Sequence, residues 1–327
     1  MKTPFLFPLE SGDSIEVIAP SYPVSDDVVA ASVSLIESWG LTSNVRLTQK
    51  SPHHPLYADE DEERFKNLQT ALCSTQAKVI WVLQGGAGAT RLLPALSAWA
   101  QSLSSPPPKK LLIGFSDVTA LHTFFRQQWG WPVLHAPNLR GVVTSRIEAS
   151  SIQALREILF GCGKHGKIME EKDLLPLNDA ARQSTLIEAA IVGGNHSVLQ
   201  YGIGTPWQID CRDKILFLED INERAYRVDL RLEHFCQAGL LEGVKAILFG
   251  DFSYSAEPVS EHVEENPDWI EYVLKSFAER MTVPVLKMSG YGHTSSNKPL
   301  LMGVQATLRN GTVPGLPGPN PSLVIEK

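Results

Sequence analysis

One serine of this sequence stands where a nucleophile would be expected. Ser116 follows the apolar run 111–115, typical of a buried parallel strand, and precedes Asp117 and Thr119, which suit the first turn of a helix. Serine attack on a carbonyl creates an oxyanion, and backbone N–H groups at a helix N-terminus favour negative charge. The pattern predicts a nucleophile, and the alternative is a serine that caps the helix. With Val118 at its fifth position, the turn differs from the G-x-S-x-G elbow.

A glycine-rich loop, residues 84–91, follows another apolar run. Gly85, Gly86 and Gly88 allow the backbone N–H groups to face a ligand closely. The spacing lacks the G-x-G-x-x-G of dinucleotide-binding loops and the Gly-Lys-Ser/Thr of a P-loop. We interpret the loop as a cradle for an oxyanion or a carboxylate, with a plain tight turn as the alternative.

Two carboxylates come directly after the apolar run 215–218. Glu219 and Asp220 are therefore expected at the carboxyl end of a strand, the edge where α/β folds place their sites. A glutamate there can hold a histidine in the tautomer that catalysis needs. The alternative is an acidic loop start or a salt bridge to Arg224 or Arg227.

His293 is the leading candidate for a general base. It follows Gly292 in a loop after the predicted strand 283–286, and a histidine pKa near neutrality suits proton transfer. His135, after another predicted strand, is the rival. The sequence contains no H-E-x-x-H motif, cysteine pair or Asp-x-Asp-x-Asp loop, so we expect metal-free catalysis without a cofactor.

The elements that must position these residues alternate between strand and helix in the first half of the chain. Repeated βα units predict a parallel sheet covered by helices. The predicted strands are 15–20, 79–83, 111–115 and 132–134, and the predicted helices are 28–39, 62–72, 91–99, 117–129 and 151–160.

The second half shows a more mixed pattern. Strands are predicted at 186–191, 215–218, 246–249, 283–286 and 301–304, and helices at 198–203, 226–238 and 269–279. We expect an α/β fold with an N-terminal parallel-sheet βα domain over 1–145, a linker region over 146–180 and a mixed, β-rich C-terminal domain over 181–327.

Composition narrows the class of partner. The chain has 327 residues, of which 43% are hydrophobic and 20% charged, with a net charge of −7. No cluster of Lys and Arg could neutralise a run of phosphates, so we expect no nucleic-acid partner. No apolar run approaches the ~20 residues that span a bilayer, and the N-terminal residues do not have a signal-peptide pattern, so we expect no membrane partner. The four cysteines are scattered singly, which indicates reduced thiols and a cytoplasmic location.

Taken together, the sequence resembles the LD-carboxypeptidase family of serine peptidases, which includes muramoyltetrapeptide carboxypeptidases and microcin C immunity peptidases. The resemblance covers nearly the whole chain and rests on eight short motifs in the family's order. These motifs are Gly12-Asp13-Ser14 before Val17-Ile18-Ala19-Pro20-Ser21, Gly85-Gly86-Ala87-Gly88 before Arg91-Leu92-Leu93, Gly114-Phe115-Ser116-Asp117-Val118-Thr119-Ala120-Leu121, Gly193-Gly194-Asn195, Gly204-Thr205-Pro206, Leu218-Glu219-Asp220 before Tyr226-Arg227-Val228-Asp229, Gly250-Asp251-Phe252, and Gly292-His293.

The family uses a Ser-Glu-His triad in that chain order. The resemblance implies that Ser116 is the nucleophile, that His293 is the general base and that Glu219 orients it. It also implies that the N–H groups of Gly86 and Asp117 form the oxyanion hole. Because Ser116 and Glu219 are assigned to different domains, the active site is expected in the groove between them.

This sequence departs from the family's pattern at two places. The family's loop usually reads Arg-Gly-Gly-Tyr-Gly, whereas here Gln84 replaces the arginine and Ala87 replaces the tyrosine. These replacements leave the backbone N–H groups of the loop in place but could change the affinity or specificity for the substrate. His196 follows Asn195 where the family often has an apolar residue. We interpret His196 as a packing or helix-start residue rather than a second base.

The resemblance implies a small peptide substrate, with removal of the C-terminal D-Ala from murein tetrapeptides during peptidoglycan recycling. The substrate carboxylate would be bound by Arg91, Asn195 or the backbone N–H groups of the loop at Gly85. A homodimer is expected because the family is commonly dimeric. The alternatives are hydrolysis of peptidyl-adenylate antibiotics by the same triad, a binding protein without turnover, and a nucleotide-dependent enzyme. The lack of a ribose-binding acid at the expected spacing argues against the last of these.

Overall fold

The computed structural model describes residues 8–47, 56–161, 167–172, 174–183, 185–255, 268–310 and 321–326. Contacts within the chain divide it into two compact units. The first contains the described residues up to Ile168 together with Ser295–Gly303, and the second contains those of Met169–Thr294 and Val304–Glu326. The boundary after Ile168 lies within residues 146–180, and the predicted domain limits remain predictions.

The strands of the described residues are β1 (Ser14–Ile18), β2 (Thr42–Arg46), β3 (Ala77–Val82), β4 (Leu111–Gly114), β5 (Val133–His135), β6 (Lys167–Glu171), β7 (Leu175–Pro176), β8 (Thr185–Asn195), β9 (Lys214–Ile221), β10 (Ala246–Ser253), β11 (Val285–Lys287), β12 (Leu300–Met302), β13 (Gln305–Asn310) and β14 (Ser322–Glu326). The α-helices are α1 (Asp26–Ser38), α2 (Asp61–Cys73), α3 (Ala89–Ser102), α4 (Thr119–Trp129), α5 (Leu139–Val143), α6 (Ala149–Leu159), α7 (Asp179–Arg182), α8 (His196–Tyr201), α9 (Ala225–Gln237) and α10 (Trp269–Arg280). None of the helices so described is long and apolar enough to cross a bilayer.

The first unit contains a six-stranded sheet with the order β12-β5-β4-β3-β1-β2. The strands β1 to β5 run parallel, which confirms the predicted parallel sheet. Trp81 of β3 and Ile113 of β4 pair in register and are fully buried, as expected for strands covered on both faces. The parallel order brings the carboxyl ends of β1, β3 and β4 to one edge of the sheet, which is where the loops containing Ser21, Gly85 and Ser116 begin.

Two strands of this sheet differ from the prediction: β2 was not predicted as a strand, and β12 was predicted as a strand of the C-terminal domain. The edge strand β2 reads Thr-Ser-Asn-Val-Arg and has no apolar run, but it pairs with β1 along its whole length. The strand β12 overlaps the predicted strand 301–304, and it joins the first sheet by antiparallel pairing of Leu301 with Leu134 of β5.

The second unit contains an eight-stranded sheet with the order β6-β14-β13-β8-β9-β10-β11-β7. Its central strands β8 to β11 are parallel, whereas β13 is antiparallel to both β8 and β14, and β7 is antiparallel to β11. The sheet confirms the mixed, β-rich second half. The strand β7 lies within the predicted linker region 146–180.

The core of the second unit lies between its central strands and the helices α9 and α10. Val228, Leu232 and Phe235 follow one another at i, i+4 and i+7 on one face of α9 and are fully buried. They belong to one cluster with Phe249 of β10 and Phe277 of α10, whose ring centroids lie 5.9 Å apart. This packing fixes β9 and β10, the strands that carry polar residues of the site.

Candidate active site

Ser116 occupies a strained turn directly after β4. Its φ is +66°, in the left-handed region that residues other than glycine seldom adopt, at a cost of about 1–3 kcal/mol. A short 3₁₀ turn, Ser116–Val118, then leads into α4. The backbone N–H of Phe115 donates to Asn138 Oδ1 at 3.3 Å, which holds the chain as it leaves the strand. Ser116 thus stands in a sharp strand-to-helix turn, the setting in which α/β-hydrolases hold their nucleophilic serine.

The glycine-rich loop passes directly beside Ser116. A Cβ atom on Gly85 would lie 3.0 Å from the Ser116 Cβ, so a side chain at this position would crowd the serine. Gly86 has a φ of +109°, and a Cβ atom there would lie 2.3 Å from the Tyr22 ring. Only glycine fits this backbone at Gly86, and the close approach at Gly85 brings the loop backbone next to the serine.

The Asp117 side chain ties this loop to two neighbouring segments. Its Oδ2 accepts one hydrogen bond from the Ser21 hydroxyl and one from the Ala89 N–H, both at 2.7 Å. Burial raises the pKa of the Asp117 carboxyl, and these two donors oppose that shift. The bonds join the ends of β1, β3 and β4, so they fix the position of the backbone N–H groups around Ser116.

Two arginines lie at the other end of the loop, and one of them binds its backbone. Arg64 is buried and donates to the carbonyl oxygen of Gly88 at 3.0 Å and to that of Pro20. Arg91, predicted as a possible carboxylate donor, is half exposed and forms an ion pair with Asp61 at 2.6 Å. Arg64 therefore has a structural role in this loop that the sequence analysis did not assign to it.

The second unit brings His293 and Glu219 together. His293 Nδ1 lies 2.7 Å from Glu219 Oε2, and the glutamate side chain is fully buried. Burial favours the neutral imidazole, but the charges of Glu219 and Asp220 outweigh it, so the pKa of His293 is raised. With the Nδ1–H donated to the carboxylate, Nε2 is the nitrogen that can take a proton.

Gly292 allows this contact. Its φ is +126°, and a Cβ atom on it would lie 2.8 Å from Glu219 Oε2. Any side chain at this position would push the histidine loop away from the carboxylate. The glycine before His293 is therefore required by the close approach of the loop to β9.

Asn195 supports the two carboxylates at the end of β9. Its Nδ2 donates to Glu219 Oε1 at 3.3 Å and to Asp220 Oδ1 at 3.0 Å, while its Oδ1 caps α8 by accepting from Val198 N–H at 3.1 Å. The hydroxyl of Ser197 donates to Asp220 Oδ2 at 2.6 Å. The amide predicted to bind substrate thus orients carboxylates in the structure, a role that the sequence signal of Asn195 did not reveal.

The other two histidines considered are buried away from solvent. His135 lies in β5 with its ring 5.8 Å from that of Phe115. His196 begins α8, and its ring centroid lies 4.9 Å from that of Phe235, which confirms its interpretation as a packing and helix-start residue. Burial lowers the pKa of His196 to about 3, so the ring is neutral at physiological pH.

The predicted residues fall into two groups. Ser116, Gly85, Gly86, Asp117 and Arg91 lie in the first unit, and Asn195, Glu219 and His293 lie in the second. Within the described ranges, no group of three or more His, Cys, Asp and Glu side chains is arranged to hold a metal ion.

A strained serine at a strand end, a glycine-rich loop beside it and a buried His–Glu pair are the parts of a serine peptidase. Comparison with known proteins gives the same class. Residues 15–136 match the family model of the LD-carboxypeptidase N-terminal domain, and residues 188–308 match that of the LD-carboxypeptidase C-terminal domain. The chain belongs to the LD-carboxypeptidase family and is a serine-type carboxypeptidase.

Individual relatives cover nearly the whole chain. A protein of Rickettsia conorii, named as a candidate carboxypeptidase, is 36% identical over 90% of this chain and 87% of its own length. The crystal structure of muramoyltetrapeptide carboxypeptidase from Oxalobacter formigenes is similar with a TM-score of 0.77 and 25% identity, covering 96% of this chain and 99% of that one. A structure of a mutant of the microcin C7 self-immunity protein MccF in complex with adenosine monophosphate has a TM-score of 0.77 at 17% identity. The match covers 99% of this chain and 98% of that one, and it shows a shared fold.

Proposed function

We propose that the protein is a serine LD-carboxypeptidase in which Ser116, His293 and Glu219 form the catalytic triad. The observation that carries the proposal is the 2.7 Å contact between His293 Nδ1 and the buried Glu219 carboxylate. It leaves Nε2 as a base of raised pKa, and the left-handed turn at Ser116 supplies the matching nucleophile. The loops around Ser116 support a role for the N–H groups of Gly86 and Asp117 as the oxyanion hole.

The reaction is an acyl transfer in two steps. His293 Nε2 takes the hydroxyl proton of Ser116 while the serine oxygen attacks the scissile carbonyl, and the N–H groups of Gly86 and Asp117 stabilise the resulting oxyanion. When the C–N bond breaks, His293 gives its proton to the leaving amine. Water then attacks the acyl-enzyme with His293 again as base, which releases the shortened peptide and restores the serine.

The substrate we propose is a murein tetrapeptide, from which the terminal D-Ala is removed. Membership of the family and the likeness to a muramoyltetrapeptide carboxypeptidase support this choice. The Asn195 amide binds Glu219 and Asp220, and Arg91 is paired with Asp61. We therefore propose the backbone N–H groups of the loop at Gly85 as the main donors to the substrate carboxylate. We further propose that the enzyme acts in the cytoplasm, as a homodimer, on peptides released during peptidoglycan recycling.

Mass spectrometry of L-Ala-D-Glu-diaminopimelate-D-Ala tests the substrate. We expect the protein to release one alanine, with the rate unaffected by EDTA. The Ser116→Ala variant should lower kcat by about 10⁴-fold or more. Ser38→Ala, which alters an exposed serine at the end of α1, is the matched control and should retain full activity.

Lack of cleavage by the unaltered protein would refute the murein substrate. An acyl-sulfamoyl adenylate would then be the next compound to test, because the changes at Gln84 and Ala87 lie in the loop expected to contact substrate. Full activity of Ser116→Ala would refute the triad itself.

A further inference from the structure

The motif Gly250-Asp251-Phe252 has no part in the mechanism described above. It lies on β10 beside the end of β9 that carries Glu219. Phe249 and Phe252 pair with the two neighbours of Glu219 on β9. Gly250 and Asp251 therefore stand together opposite Glu219. Two residues opposite one form a β-bulge, a feature that redirects side chains and is common beside active sites.

The Asp251 carboxylate binds the loop that carries His293. Its Oδ2 accepts hydrogen bonds from the Gly290 N–H at 2.8 Å and from the Thr294 hydroxyl at 3.2 Å. The Asp251 N–H donates to the Tyr291 carbonyl oxygen at 2.8 Å. Burial raises the pKa of the Asp251 carboxyl, while both accepted bonds favour its ionised form. One residue of the bulge thus holds the loop on both sides of the histidine.

We propose that Asp251 is a positioning residue for His293. The bulge directs its carboxylate at the loop, and the two accepted hydrogen bonds keep the imidazole Nδ1 against Glu219. The catalytic importance of the contact between His293 and Glu219 rests on the proposed function. The hydrogen bonds by which Asp251 holds the loop do not depend on it. Since a displacement of about 1 Å in a catalytic group can lower the rate about 100-fold, a small shift of this loop would affect turnover.

Two substitutions separate the position of the loop from the charge of the carboxylate. Asp251→Ala removes the acceptor, and we expect it to lower kcat on the tetrapeptide about 10- to 100-fold with KM within about twofold. Asp251→Asn keeps a carbonyl oxygen that can accept both bonds, so it should restore most of the lost kcat. Asp213→Ala removes an exposed aspartate that pairs with Lys245 at the surface, and it should behave like the parent.

NMR titration of the His293 imidazole reads out the position of the ring without any substrate. The histidine signal that disappears in His293→Gln gives the assignment. In Asp251→Ala the pKa of His293 should fall, because Glu219 raises this pKa through a contact that the loop maintains. In Asp251→Asn the pKa of His293 should stay near its value in the parent. A merely structural role would reduce the folded fraction and leave this titration unchanged.

If Asp251→Ala does not fold, Thr294→Val takes its place, because it removes one of the two donors. It should lower kcat about 2- to 10-fold, the usual effect of losing one hydrogen bond. The positioning role would be overturned if the folded Asp251→Ala variant had the parent's kcat and the parent's His293 titration. The same result with Thr294→Val, used in its place, would also overturn it. A parent protein without activity on the tetrapeptide would instead refute the proposed murein substrate, and the NMR titration would still decide the role of Asp251.

Discussion

Replacing His196 should make the protein less sensitive to acid. The ring is fully buried against Phe235 and Phe252, and its pKa in the folded state is about 3, compared with 6.5 for the ordinary group. The unfolded chain therefore binds a proton at this histidine below pH 6.5 that the folded protein does not bind. As the pH falls from 6.5 towards 3, this difference destabilises the folded state progressively.

The magnitude follows from the span of pH. One proton contributes about 1.4 kcal/mol per pH unit, so between pH 7.5 and pH 5 His196 lowers the free energy of unfolding by about 2 kcal/mol. The variant His196→Leu has no such group. Its loss of stability between these pH values should be smaller than the parent's by that amount.

Urea unfolding followed by circular dichroism at pH 7.5 and pH 5 measures both losses. His234→Leu is the matched control, because it makes the same substitution at an exposed histidine on α9 and so reports the effect of the substitution itself. Equal losses of stability in His196→Leu and the parent would show that the buried ring takes up a proton in the folded state, contrary to this reasoning.

Three further substitutions test the two halves of the site. Gly86→Ala places a methyl group 2.3 Å from the Tyr22 ring, on a backbone with a φ of +109°. We therefore expect kcat to fall about 100-fold while the circular dichroism spectrum stays unchanged. A kcat equal to that of the parent would exclude an oxyanion role for this loop. Glu219→Gln removes the charge that raises the pKa of His293 against the effect of burial. Because the base must be neutral, the acidic limb of the kcat/KM profile should move to lower pH and kcat should fall about 10²- to 10⁴-fold, whereas an unmoved limb would contradict the pairing. Asp117→Ala leaves the Ser21 hydroxyl and the Ala89 N–H without their acceptor. Calorimetry should therefore show a free energy of unfolding that is lower by about 2–3 kcal/mol. An unchanged melting temperature would contradict the role of the Asp117 side chain in joining these segments.

Local sequence pattern was sufficient for the apolar strands and for the residues that follow them. The runs that became β3, β4 and β9 are bounded by polar residues, so Ser116 and Glu219 could be placed directly after apolar runs. The strand β9 continues to Ile221, so Glu219 lies within it. The structure confirms those strands. It shows Glu219 in contact with His293, and the catalytic roles of these residues remain predictions.

The parts that could not be predicted depend on contacts between distant segments. The edge strand β2 forms because β1 offers it hydrogen bonds, not because of its own polar sequence. The return of β12 to the first sheet depends on a free edge at β5. The role of Asn195 arises because β8 and β9 lie side by side, which brings its amide to the carboxylate of Glu219.

The most direct test of the central claim is the site and rate of labelling by a serine-directed fluorophosphonate, measured by peptide mass spectrometry. We predict a single adduct on Ser116 in the parent, none in Ser116→Ala, and labelling slower by at least about 100-fold in His293→Gln, because the histidine activates the hydroxyl. An adduct on another residue, or equal labelling rates in the parent and His293→Gln, would contradict the account of Ser116 as a nucleophile activated by His293.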